Sequence, residues 1–147
     1  MFSSFMPEAL SEARAAAQRG EVPVGAVVTR GNEILGRAGN RTRELSDPTA
    51  HAELLAIRAA CAALGQERLT GCALWVTLEP CAMCAQAIAH ARLDRLHFGA
   101  ADPKSGGVLV GARVFEHPQT HHVPEIHDGI DADACTALLR SFFAGRR

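Results

Sequence analysis

The chain carries almost no net charge, no long apolar run and no even set of cysteines, and each of these absences removes a class of protein. Lys and Arg number 15 against 16 Asp and Glu, a net charge of −1, which is too little positive charge for strong non-specific binding along nucleic acid. The apolar stretches are short and broken by Arg, Glu or Gly, so none approaches the roughly 20 residues that span a bilayer, and no membrane partner is expected. The opening MFSSFMPEALSEAR lacks a basic segment followed by an apolar one; no secretory leader is expected, and a cytoplasmic location is. Five cysteines are an odd number without disulfide-like spacing, and in a reducing compartment that favours metal binding or catalysis over bridges. No internal repeat, low-complexity segment or linker interrupts the sequence. With 147 residues and 48% apolar content, the chain can bury a core, and a single domain over residues 1–147 is expected.

What is present reads as alternating elements. Residues 7–19 pattern as a helix, with Leu10, Ala13 and Ala17 on one stripe, Ser3 or Ser4 as cap and Gly20 as stop. Strands are expected at 24–30 and 33–39, joined by the two-residue hairpin turn Gly31-Asn32. The loop NRTRELSDPT leads into a helix over about residues 50–64 that Gly65 closes. ALWVTL (73–78) reads as a buried strand, residues 81–90 as a helix and RLHFGA (95–100) as another strand. After the Gly-rich DPKSGG, VPEIHDG offers a weak strand and residues 131–143 a final helix. A hairpin followed by β-α-β-α-β implies the α/β class, a mixed sheet with helices on both faces.

Two short motifs carry chemistry. His51 and Glu53 stand at the front of an otherwise apolar helix, HAELLA. EPCAMC (79–84) runs from the end of a strand into the next helix, with Pro80 suited to a first-turn position and Cys81 and Cys84 on one face of the opening turn. The positive end of the helix dipole favours the thiolates that metals need. One imidazole and two sulfurs form a ligand set for tetrahedral zinc. Cys61 is ten residues along the helix from His51, about 15 Å away, and cannot join; Cys72 precedes Cys81 by about 30 Å of extended chain and is also too far. Spacing alone leaves Cys135 open. Three ligands leave a position for water, the pattern of a catalytic site, and an unliganded carboxylate beside it can move that water's proton. On a regular helix, residues two apart point in nearly opposite directions, so His51 and Glu53 share one water only if the helix start wraps them together.

At EVPVGAV (21–27), GN (39–40), DPTAHAE (47–53), VTLEPCAMC (76–84), FGA (98–100) and FF (142–143), the chain resembles the bacterial tRNA-specific adenosine deaminases of the cytidine-deaminase-like superfamily. The resemblance implies a three-layer α/β/α fold with a five-stranded mixed sheet, and one zinc ion per chain on His51, Cys81 and Cys84. It implies hydrolysis of adenosine to inosine at the wobble position of a tRNA anticodon. Glu53 protonates N1 and then the leaving amine, and no organic cofactor takes part. It further implies a homodimer, with the anticodon stem-loop as partner. Asn40 then hydrogen-bonds the flipped nucleoside, Val24 and Pro80 wall the base, and Asp102 and Lys104 meet the RNA at the pocket mouth. Phe143, Arg146 and Arg147, together with Arg41, Arg43 and Lys104, are expected as a small basic rim. The segment SGGVLVGARVFEHPQTHHVPE departs from better-known members, and its His117, His121 and His122 are expected in an exposed loop and not in a second metal site. A deaminase of free guanine, cytosine or their nucleosides would use the same chemistry. A zinc-stabilised RNA-binding module without turnover has no need of Glu53.

Overall fold

The computed structural model of the protein describes residues 3–146. Five strands form one sheet: β1 (Gly25–Arg30), β2 (Glu33–Gly39), β3 (Ala73–Leu78), β4 (Arg95–Ala100) and β5 (Glu125–His127), in the order β2-β1-β3-β4-β5. Strand β1 runs antiparallel to β2 and β3, while β3, β4 and β5 are mutually parallel. The β1–β2 hairpin turns at Gly31-Asn32, where Gly31 takes φ 60°, a left-handed value that suits a tight hairpin turn and that glycine adopts without strain.

Four helices cover the sheet: α1 (Met6–Gln18), α2 (Ala52–Leu64), α3 (Ala82–Ala91) and α4 (Ala132–Ala144). Alternation along β3 explains why both faces need cover. Leu74 and Val76 belong to a core shared with α2 and α3, whereas Trp75 packs with Met6, Ala9 and Leu10 of α1 and Cys135 of α4. The expected three layers are therefore present. Trp75, His97 and His127 also line up across neighbouring strands, with Trp75 and His97 stacked at 3.8 Å between ring centroids. Burial pushes the His97 imidazole down to about 4, so it packs as a neutral ring.

The structure corrects several local expectations. Helix α1 buries Met6, Ala9, Leu10, Ala13 and Ala16 and leaves Ala17 half-buried. Its stripe is phased by glycines in the hairpin, since a Cβ at Gly25 would strike Ala9 and Ala13 and one at Gly39 would lie 3.0 Å from Ala16 Cβ. Phe5 occupies the N-cap position of α1, and Ser4 Oγ accepts the Met6 amide at 3.2 Å. The weak strand contracts to the three residues of β5. Residues 105–124 are anchored by Val108, Val114 and Phe115, buried in the core on the α2 and α3 side, with a short 3-10 turn at Val114–Glu116. His117 and His121 are exposed as expected, whereas His122 is half-buried because its ring bonds to the Leu93 carbonyl.

Helix α2 lies unusually close to β2. A Cβ on Gly36 would sit 2.5 Å from the Ala56 carbonyl oxygen and 2.7 Å from the Ala60 nitrogen, both backbone atoms that cannot swing aside. Gly36→Ala is therefore expected to destabilise the fold by about 1–3 kcal/mol, the usual cost of overpacking. Chemical denaturation of the two proteins measures it.

Candidate active site

Helices α2 and α3 begin later than the sequence pattern suggests, and the delay creates the site. His51 is the N-cap of α2 with φ −75° and ψ 150°, and Cys81 is the N-cap of α3 with φ −71° and ψ 173°. Both are extended residues, not helical ones. Pro80 therefore precedes the cap instead of opening the first turn, and its carbonyl accepts the Gly107 amide at 2.8 Å, an interaction incompatible with helical register. The same feature removes the obstacle to His51 and Glu53 acting together. The backbone leaves helical geometry between them, so the rule that residues two apart diverge no longer applies. Glu53, the second helical residue, is 4% exposed.

The side chains converge. His51 Nδ1 lies 3.7 Å from Cys81 Sγ and 3.5 Å from Cys84 Sγ, and the three ligand atoms all fall within 4.8 Å of one another. Zinc bonds of about 2.3 Å to sulfur and 2.0–2.1 Å to nitrogen, set at the tetrahedral angle, separate N from S by about 3.6 Å. The site matches that edge length. The thiols support the same conclusion electrostatically. Hydrogen bonds from Cys84 and His51 hold Cys81 down to about 4, while that same bond and burial push Cys84 up. Two adjacent sulfurs share one proton unless a cation neutralises them, and a divalent metal supplies that neutralisation. Burial holds the Glu53 carboxyl up at about 7, and the positive charge of a bound metal would draw it down.

Among the described residues, His51, Cys81 and Cys84 are the group that could hold a metal. Cys61 and Cys72 contact the local carbonyls of Glu67 and Thr70. Cys135, which spacing left open, is buried with α1 and Trp75 on the other side of the sheet. His117 Nδ1 accepts the Gln119 amide, and His122 Nε2 donates to the Leu93 carbonyl. These histidines do not form a second cluster.

A cavity of about 260 Å³ opens over this triangle, lined among others by Val24, Asn40, Thr42, Glu53, Leu78 and Asp102. Asn40 Oδ1 accepts the Ala52 amide at 2.8 Å and so caps α2 from outside its own helix, which leaves the carboxamide nitrogen as its free polar group. Val24 lines the cavity, whereas Pro80 is buried and is not among the lining residues. Asp102 Oδ1 accepts the amides of Lys104 and Ser105 and thereby shapes the turn that carries Lys104. An adjoining groove of about 530 Å³ shares Val22, Leu78, Asp102 and Ser105 with the cavity and extends to Lys104 and Phe143. Phe143 is 55% exposed.

Three arginines of the expected basic rim make contacts within the chain. Arg41 is engaged by both Glu44 oxygens at 2.7 and 2.8 Å, Arg43 donates to the Gly20 carbonyl, and Arg146 lies 4.0 Å above the Phe142 ring. Arg147 lies outside the described residues. Sequence reasoning missed two residues beside the site, Glu21 and Glu79, at 1% and 2% exposure. Glutamate is seldom buried, but nothing in the neighbouring letters marks these two as buried.

Comparison with known proteins agrees with this geometry. The MafB19-like deaminase family matches residues 2–143. The chain is 54% identical over 143 residues to a tRNA-specific adenosine deaminase of Agrobacterium fabrum, covering 97% of this chain and 94% of that one. It is 42% identical to the Bacillus subtilis protein of the same name, covering 95% and 86%. The chain belongs to the tRNA-specific adenosine deaminase family. A solved structure from work on A-to-I editing by tRNA:A34 deaminases at the wobble position superimposes with a TM-score of 0.90 at 54% identity, covering 92% of this chain and 98% of that one.

Two measurements probe the deaminase site. Purified protein is expected to contain about one zinc per chain, and Cys81→Ser to lose most of it in elemental analysis; full retention would remove Cys81 from the ligand set. Asn40→Asp keeps an oxygen for the Ala52 amide and should preserve stability, whereas Asn40→Ala should cost about 1 kcal/mol of unfolding free energy, the value of a helix cap.

Proposed function

We propose that the protein converts adenosine to inosine at the wobble position of a tRNA anticodon, with one zinc ion held by His51, Cys81 and Cys84. The observation that carries this reading is the buried Glu53 carboxyl beside a three-ligand triangle, inside a cavity open to solvent. A structural zinc normally takes four protein ligands, and this site offers three. When bound, zinc supplies an activated water at neutral pH and polarises the reacting centre.

The chain's own residues do the rest. Glu53, buried beside the triangle inside the cavity, is placed to move protons: as a carboxylate it takes one from water and delivers it to N1 of the purine, and it then carries the proton of the hydroxyl added at C6 to the departing amine. The Asn40 carboxamide nitrogen is free to donate to the nucleoside, and Val24 and Leu78 exclude water from one side of the ring. The groove toward Phe143 and Lys104 favours an RNA loop over a free base. A nucleotide flipped from a strand needs an aromatic surface for neighbouring bases and cations for its backbone, and a free base needs neither. Relatives bearing the name tRNA-specific adenosine deaminase support the same choice.

A homodimer is part of this reading. Met83 and Leu109 are exposed large apolar side chains on neighbouring segments, since a Cβ at Gly107 would lie 2.5 Å from the Ala82 nitrogen. A second copy of the chain is the occupant proposed for that surface. The chain acts as one deaminase domain over residues 1–147 and works in the cytoplasm, where its tRNA is processed; no helix among the described residues is long and apolar enough to cross a membrane.

Inosine formation and ammonia release are expected on an anticodon stem-loop and not on free adenosine, guanine or cytosine. Glu53→Ala should keep zinc and fold while losing turnover by a factor of order 10²–10⁴. Preference for a free base would replace the tRNA assignment, and a Glu53→Ala protein with wild-type turnover would remove the proton-transfer role.

A further inference from the structure

Two segments that line the cavity hang from buried carboxylates. On one side, Glu21 accepts the backbone amides of Arg43 at 3.1 Å and Glu44 at 2.8 Å, fixing the stretch that carries the lining residue Thr42. On the other, Glu79 Oε1 accepts the Asp102 amide at 3.0 Å. Its Oε2 accepts those of Val108 at 3.1 Å, Leu109 at 2.8 Å and Val110 at 3.4 Å. Asp102 and Ser105 of that segment line the cavity. Both glutamates are almost wholly buried, and neither forms an ion pair among the described residues.

A carboxylate is the side chain that presents acceptors only, so it can satisfy several converging amides at once. A carboxamide of the same shape would turn an NH2 group toward amides that also donate. The loop is tailored to Glu79 as well, because a Cβ at Gly106 would lie 2.5 Å from Glu79 Oε2. We infer that Glu21 and Glu79 are positioning residues: each holds one wall of the cavity in register for substrate without touching the reacting atoms. The inference rests on the proposed deamination only for its kinetic readout.

The test compares Glu79→Gln, Glu21→Gln and Gly106→Ala with the wild type. Gly106→Ala disturbs the Glu79 contact from the opposite side and leaves the carboxylate in place, so it decides the matter should Glu79→Gln fail to fold. Zinc content is expected to stay at the wild-type level. KM for the stem-loop is expected to rise about tenfold or more with a smaller change in kcat, as lost substrate positioning predicts. Amide hydrogen exchange should quicken at Val108 and Leu109 in Glu79→Gln and at Arg43 and Glu44 in Glu21→Gln, each leaving the other wall protected. That pattern holds whatever the substrate is, so it separates failure of this inference from failure of the tRNA assignment. Glu79→Asp, which keeps the charge, should recover part of the KM. Unchanged KM with unchanged exchange at these amides overturns the inference, and so does a uniform loss of stability with KM unaltered.

Discussion

Helices α2 and α3 start side by side at the end of β3, and the backbone N–H groups of their first turns carry partial positive charge that favours anions. That convergence is what the site depends on. It lets Cys81 and Cys84 approach His51 to within hydrogen-bonding range of one another, in surroundings where a thiolate is stabilised. It also puts Glu53 in the opening turn of α2, where the helix dipole offsets part of the cost of burying a carboxyl. The parallel β3-α3-β4 crossover and the antiparallel hairpin bring the two helix starts together, and the close seat of α2 on Gly36 keeps them there.

The polar groups under the site serve more than one end at once. Asn40 closes β2, caps α2 through the Ala52 amide and lines the cavity, so one side chain couples the hairpin to the helix that presents His51. Pro80 links strand and helix while its carbonyl holds Gly107. Glu79, between β3 and that proline, gathers the amides of Asp102, Val108, Leu109 and Val110. Buried polar groups of this kind are stable only when fully satisfied, and here the partners are backbone amides of the loops that shape the pocket. The geometry of these loops is thus set by a few hydrogen bonds.

Electrostatics at the rim are restrained. The arginines near residues 37–43 that stand out in the sequence are largely occupied, Arg37 by Glu12 and Arg41 by Glu44. The mouth of the cavity presents a few cations and one exposed aromatic ring, not a broad positive field.

The His, Glu and Cys side chains that converge at the cavity were legible in the sequence because their signal is chemical and local. His51 with Glu53, and Cys81 with Cys84, lie within three residues of each other, and few other roles need that set of groups. The layered α/β arrangement was legible for a similar reason, since strand alternation and helical periodicity are short-range patterns. Helix starts were not, because capping is decided by which distant group satisfies the first amides: Asn40 reaches Ala52 across 12 positions. The anchoring of residues 105–124 by Val108, Val114 and Phe115 escaped notice because three scattered apolar residues have no period. Nothing near Glu21 and Glu79 in the sequence marks them as buried, as their partner amides lie 22 to 31 positions away. The sequence by itself determined which chemistry the chain can perform. Only the tertiary structure decided how the walls around that chemistry are held, because hydrogen bonds between a side chain and a remote backbone leave no trace in the order of residues.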